Sequence, residues 1–218
     1  DQQQSRSRRI KEDFLNRIDI KPENVHLIDG SIPVDKVSNY CAKYERKARN
    51  LDLMVIGMGE QGQVGFNEAG SYAKSVTRMV QLSHQSRKAQ AGMFYGIENT
   101  PRMAITMGLS TVMSAKRIIV MAWGEDKADA VQRIVEGEIT DNVPASHLQE
   151  HHNIELVIDE TAAEKPTREQ TPWLVGPCEW TPKFVRKAVV WLCGIVNKPI
   201  LKLTYKDYIE NSLGQLLE

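Results

Sequence analysis

The 218-residue sequence predicts an α/β protein, a largely parallel sheet with helices on both faces, followed by a C-terminal helical appendage. Three observations carry this reading. Apolar runs at 51–56, 103–107, 117–122 and 154–158 have strand length, and helical stripes lie among them. A glycine-rich turn, Gly57-Met-Gly-Glu-Gln-Gly62, leaves the first of those runs directly, where open α/β sheets bind ligands. Beyond residue 178 the strand pattern stops and one amphipathic helical stripe takes over.

Taken in order, Ile10, Phe14, Leu15 and Ile18 recur at helical spacing, and Ile20-Lys-Pro-Glu breaks that pattern. Val25-His-Leu-Ile28 then reads as a short strand. Val37, Tyr40, Cys41 and Tyr44 form the stripe of a surface helix over 34–49, and Leu51-Asp-Leu-Met-Val-Ile56 follows as a strand buried on both faces. Helices are expected at about 110–116 and 126–135, between the later strands. Lys165-Pro and Thr171-Pro-Trp mark an irregular connection. Thr181 is placed to cap a last helix with Pro182 at its first position, which carries Phe184, Ala188 and Leu192 toward a partner surface. The chain therefore divides into an α/β unit over 8–160, a connector over 161–178 and a helical tail over 179–218. There is no internal repeat, and the only low-complexity stretch is the first four residues.

Composition excludes several function classes. Lys and Arg together number 28, as do Asp and Glu, so the net charge is zero and nothing favours a nucleic-acid partner. The polar, basic start has no apolar run behind it and does not read as a signal peptide. The longest apolar run, 188–196, is less than half of the roughly 20 residues that cross a bilayer, so no membrane association is expected. Cys41, Cys178 and Cys193 form no CxxC pair and no even-numbered framework, which points to reduced thiols and a cytoplasmic location. Met103, Met107 and Met113 read as core fillers, and Trp173, Trp180 and Trp191 as packing anchors. His26, His84, His151 and His152 lack the companion spacing of a metal site.

The glycine-rich turn carries the chemistry. Gly57, Gly59 and Gly62 satisfy GxGxxG, but a dinucleotide fold would open straight into a helix and place an acidic residue about 20 positions on. Here the turn continues Gln63-Val-Gly-Phe-Asn-Glu68, and the later position reads Gln81-Leu-Ser-His84. Neither context is met, so the Rossmann-like sheet is not expected to hold a dinucleotide.

The strand and turn over 51–70, with Phe66-Asn67-Glu68 after the glycines, resemble the signature of the glucosamine-6-phosphate deaminase/isomerase family. Asp19-Ile-Lys-Pro-Glu-Asn-Val-His, Pro101-Arg-Met-Ala-Ile-Thr, Gly124-Glu-Asp-Lys127 and Pro144-Ala-Ser-His-Leu resemble further segments of the same family in the same order. The resemblance implies conversion of glucosamine 6-phosphate and water to fructose 6-phosphate and ammonia, with neither metal nor organic cofactor. It also implies that the family's first strands, with a phosphate loop and a base, have no counterpart here. The tail resembles the connector found where this domain is fused to a deacetylase-like second domain.

The family opens the sugar ring with a His tuned by an Asp and a Glu. Carried onto this sequence, the Glu is Glu68, while Gln61 stands at the Asp and Gln63 at the His. A carboxamide does not titrate and cannot shuttle a proton, so impaired activity is expected. Substrate contacts are expected at Gly57, Gly59, Gly62 and Asn67, with Lys127 on the phosphate. A phosphate-contacting Arg is replaced by Gly92, with Arg78 and Arg87 near it in sequence. A non-catalytic sugar-phosphate binding or regulatory module is the alternative. A 6-phosphogluconolactonase-like hydrolase ranks third, because those relatives continue the turn with Asp-Gly-His and lack Phe-Asn-Glu. A homo-oligomer, or docking to a deacetylase-like domain, is the expected assembly.

Overall fold

The architecture comes from a computed structural model that describes residues 5–217; the low-complexity start at 1–4 lies outside the described residues. Helix α1 spans Arg6–Asp13 and a 3-10 turn follows at Leu15–Arg17, so the stripe at 10–18 is only partly α-helical. Its apolar residues Ile10, Phe14 and Ile18 stay exposed. The strand expected at 25–28 does not form. Side chains take up the backbone groups of this segment instead. Asp29 N–H donates to the Tyr40 hydroxyl at 2.7 Å, the Tyr44 hydroxyl donates to the His26 carbonyl at 3.3 Å, and Ser7 Oγ donates to the Ile28 carbonyl at 3.2 Å. Polar groups satisfied in this way need no ladder.

Helix α2 (Val34–Ala48) buries Val37, Cys41, Glu45 and Ala48, a spacing of three and four that keeps one face inward. Then come β1 (Met54–Gly57), β2 (Arg78–Gln81), α3 (His84–Gln90) and β3 (Met103–Thr106). After them lie α4 (Leu109–Met113), β4 (Ile118–Ala122), α5 (Ala128–Glu136) and β5 (Ile154–Ile158). The tail contains α6 (Thr167–Gln170), α7 (Pro182–Val196) and α8 (Tyr205–Glu210).

β1, β4 and β5 form a parallel sheet in the order β1-β4-β5, with Ile56 opposite Val120 and Val120 opposite Leu156. One face packs Met54, Ile118, Val120 and Ala122 against Val112 of α4, Val131 and Ile134 of α5, and Leu148. Side chains alternate along a strand, so Val55 points the other way and is 51% exposed. The expectation that 51–56 is buried on both faces is therefore corrected. β1 pairs only with β4 among the described residues, and as an edge strand it has fewer neighbours to cover it.

The strand at 103–107 is also reassigned. As β3 it pairs antiparallel with β2 in a separate ribbon, Met79 opposite Ile105, and does not join the parallel sheet. β2 follows Val76-Thr77 with the pattern Arg-Met-Val-Gln, too short to declare a period by itself.

The tail builds its own core from Trp173, Ala188, Leu192 and Leu213, with Phe184 and Trp191 against it. Thr181 caps α7 by accepting from Phe184 N–H at 3.3 Å, Pro182 takes the first position, and Asn197 ends the helix in left-handed backbone, φ 50°. Trp173 stacks on Trp180 with ring centres 5.9 Å apart, which gives these tryptophans a packing role. No helix among the described residues is long and apolar enough to cross a membrane.

Candidate functional site

The site is assembled at the carboxyl ends of β1 and β4. Past Gly57 the chain folds on itself, with Val64 bridged to both Met58 and Asn67. Gly59 N–H donates to the Gln63 carbonyl at 2.9 Å and Gly62 N–H to the Gly59 carbonyl at 3.0 Å, closing a tight loop. Gly62 has φ +73°, and a Cβ there would lie 2.6 Å from Val143 Cγ1, so conformation and space both require glycine. Its carbonyl accepts from Ala145 N–H at 2.8 Å, which anchors the loop to the segment before β5. Gly59 leaves room for the Gln63 carboxamide, which a Cβ would strike, whereas Gly57 has open space around it.

The candidate residues take distinct positions. The Gln63 side chain folds back over Gly59, and its Oε1 accepts from Gln61 N–H at 2.9 Å. Gln61 Nε2 donates to Gln85 Oε1 at 2.7 Å. Glu68 Oε2 accepts from Ser83 N–H at 2.9 Å, and its Oε1 is buried without a hydrogen-bond partner among the described residues. Glu68 is thus the titratable group of the expected trio, whose other two members are carboxamides. One carboxylate and two amides can hold sugar hydroxyls, but only the carboxylate can take a proton.

Asn67 is turned inward. It is 1% exposed, its Nδ2 donates to the Val64 and Met107 carbonyls at 2.9 and 2.8 Å, and its Oδ1 accepts from Arg78 at 2.9 Å. This side chain holds the turn against the end of β3. Thr106 assists by accepting from Phe66 N–H at 3.1 Å.

Lys127 is the last residue of the 3-10 turn after β4 and directly precedes α5. Gly124, at φ +94°, starts that turn, and its N–H donates to the Asp159 carboxylate at 3.1 Å. The Lys127 side chain is 17% exposed, hydrogen-bonded to Asp126 and 3.9 Å from Glu60 Oε1. The contact with Glu60 ties this lysine to the glycine-rich turn. The hydrogen bond from Lys127 holds the Asp126 carboxyl below its ordinary range. An anion reaching Lys127 must therefore compete with two carboxylates.

Arg78 and Arg87 are both engaged elsewhere. Arg78 binds Asn67 and Ser71, and Arg87 donates to the Ile97 carbonyl at 2.6 Å. Gly92 lies in a 3-10 turn after α3, with open space around it. His151 is buried and bonded to the Ala115 and Asn153 carbonyls, a structural role. Among the described residues no group of three or more His, Cys, Asp or Glu side chains is arranged to hold a metal ion. Three contacts were not legible in the sequence. Gln85 and Ser83 meet the turn from α3 and its cap, and Arg6 lies over the Phe66 ring, 4.7 Å from its centre. Each depends on chain segments many positions apart.

Known proteins resemble this chain in sequence and in fold. The family described as glucosamine-6-phosphate isomerases/6-phosphogluconolactonase matches residues 1–158. A glucosamine-6-phosphate deaminase-like protein of Bacteroides thetaiotaomicron is 46% identical over 211 residues, 95% of this chain and 32% of that protein. A glucosamine-6-phosphate deaminase of Thermoanaerobacter is 39% identical over 153 residues, 69% of this chain and 60% of the relative. In structure, a monomeric glucosamine-6-phosphate deaminase superposes with a TM-score of 0.68 at 36% identity, over 71% of this chain and 65% of that one. The chain thus spans about a third of the Bacteroides relative and under two thirds of the deaminases it matches. The matched region, which includes the turn carrying Glu68 and the loop carrying Lys127, establishes that the chain belongs to the glucosamine-6-phosphate isomerase/6-phosphogluconolactonase family.

Proposed function

We propose that the chain carries the sugar-phosphate site of a glucosamine-6-phosphate deaminase/isomerase, in which Glu68 keeps the carboxylate of the ring-opening device while Gln61 and Gln63 have lost its proton shuttle. The observation that carries this reading is the turn itself. Gln61, Gln63 and Glu68 are gathered in one hydrogen-bonded loop, and Glu60 connects that loop to Lys127. In the complete reaction glucosamine 6-phosphate and water give fructose 6-phosphate and ammonia. Lys127 would take the phosphate, and Glu68 would bear on the hydroxyls at the reacting end. Replacing a general acid/base group lowers rates by roughly 10²- to 10⁴-fold.

One observation favours the non-catalytic alternative. The Gln63 carboxamide lies over Gly59 and bonds to Gln61 N–H, so nothing in the turn relays a proton to Glu68. In that reading the site binds an amino-sugar phosphate and reports or retains it.

Other parts of the proposal rest on separate supports. Val190 and Ile195 on α7 are exposed apolar positions for a second copy or for a deacetylase-like domain to cover. A cytoplasmic location accords with the three free cysteines. The division at 161–178 accords with the separate tail core.

The test is calorimetric titration of the chain with glucosamine 6-phosphate, run beside an ammonia-release assay. Saturable binding with weak ammonia release is expected, and a Gln61→Asp, Gln63→His double variant should raise the release. Absence of saturable binding refutes the sugar-phosphate reading. Binding that persists while both forms release no ammonia leaves the non-catalytic module.

A further inference from the structure

Gln85 lies outside the glycine-rich turn and no comparison assigns it a role. Its Oε1 nevertheless accepts from Gln61 Nε2 at 2.7 Å, across 24 positions of sequence. Two residues earlier, Ser83 N–H donates to Glu68 Oε2 at 2.9 Å. The start of α3 therefore grips both ends of the turn, one hydrogen bond on the amide and one on the carboxylate.

A glutamine side chain has one donor end and one acceptor end of nearly equal shape, and either can face a ligand. In this structure Gln85 turns its own acceptor end to Gln61 and takes up the donor end. With Nε2 held by Gln85, exposed Gln61 has its carbonyl oxygen left for other partners, while Glu68 Oε1 is buried without a donor among the described residues. We propose that Gln85 is a positioning residue that orients the Gln61 carboxamide oxygen-outward, so that Gln61 presents an acceptor to the hydroxyl-rich end of a sugar phosphate. The amide then offers the acceptor oxygen that a carboxylate would offer, without its charge. This inference rests on the sugar-phosphate reading above and names a residue that the reading does not require.

The experiment compares the unaltered chain with Gln85→Ala and Gln85→Glu, titrated with glucosamine 6-phosphate and separately with inorganic phosphate. Side-chain amide ¹H–¹⁵N spectra of Gln61 are recorded for each. A neutral hydrogen bond contributes on the order of three- to tenfold to an equilibrium, less at an exposed position. Gln85→Ala should weaken sugar-phosphate binding by about threefold, leave inorganic phosphate binding unchanged and shift the Gln61 amide signals. Gln85→Glu keeps an acceptor for Gln61 Nε2 and should keep the Gln61 amide spectrum of the unaltered chain. Equal losses for the two ligands would mark a merely structural role and overturn the proposal. So would normal sugar-phosphate binding by Gln85→Ala, or a Gln85→Glu variant whose Gln61 signals match those of Gln85→Ala. If the unaltered chain binds inorganic phosphate but no sugar phosphate, the broader reading fails and this one with it.

Discussion

Substituting Glu45 tests whether the turn is held up by a buried carboxylate far from it in sequence. Glu45 on α2 is 9% exposed, and its Oε2 accepts three hydrogen bonds, from Thr77 N–H at 2.8 Å, Thr77 Oγ1 at 2.6 Å and Thr111 Oγ1 at 2.8 Å. Its Oε1 accepts from Arg49 Nε at 2.8 Å. Thr77 directly precedes β2 and Thr111 lies on α4, so one side chain joins α2, the β2–β3 ribbon and α4. At the same end of the ribbon Thr106 of β3, opposite Arg78, receives Phe66 N–H of the turn. Glu45→Ala leaves three buried donors without an acceptor, each at about 1–3 kcal/mol when unsatisfied. Because the hydroxyls can rotate to other acceptors and Arg49 is half exposed, the expected loss is about 3–5 kcal/mol. In a chain of this size that lowers Tm by roughly 6–20 °C. Glu45→Gln keeps one acceptor oxygen and should lose about 1–2 kcal/mol.

The pH dependence follows from the same contacts. Burial works to raise the Glu45 pKa, but hydrogen bonds from Thr77, Thr111 and Arg49 outweigh it and hold the value below the ordinary one. A depressed folded pKa means stabilisation that is fully present above the unfolded value, about 4.3, and lost as pH falls through the folded one. The gap between unaltered protein and Glu45→Gln should therefore be widest near neutrality and close below about pH 4. Thermal melting followed by circular dichroism from pH 3 to 7.5 measures this. A Glu45→Ala melt within about 1 °C of the unaltered protein at pH 7, or a gap that widens in acid, would refute the reasoning.

Two further outcomes are expected. Lys127→Ala should weaken inorganic phosphate binding about tenfold, while Glu60→Gln, which removes a carboxylate 3.9 Å from the ammonium, should strengthen it about twofold; calorimetry in low salt reads both. Asp207 in the tail is pulled down to about 2 by hydrogen bonds from Lys198 and from the Thr204 backbone and hydroxyl. Asp207→Asn should lower the melting temperature of the tail at pH 7, read by the fluorescence of Trp173 and Trp191, and have little effect near pH 2. The stabilisation is present above the ordinary carboxylate value of 3.8 and fades as pH falls toward 2. An undiminished deficit at pH 2 would show that the contact is not ionic.

What the sequence determined alone is whatever repeats locally. The stripe of α2, the apolar runs of β1, β4 and β5, and the Thr181-Pro182 start of α7 each state their structure within one or two turns of chain, because side-chain direction follows backbone period. The turn over 57–68 was equally legible, since Gly62 needs positive φ and the motif around Phe66-Asn67-Glu68 names its family. Tertiary structure decided the rest. Whether Val55 is covered, whether 103–106 enters the parallel sheet or a ribbon with β2, and whether 25–28 finds a ladder all depend on which strands stand alongside. Asn67 was readable as a polar residue of a ligand turn, yet its amide closes on Val64 and Met107, a choice made by carbonyls that only folding brings near. The bonds from Thr111 to Glu45 and from Gln61 to Gln85 span 66 and 24 positions. No periodicity records such pairs, because each partner's own neighbourhood is satisfied equally well by water until the chain is compact.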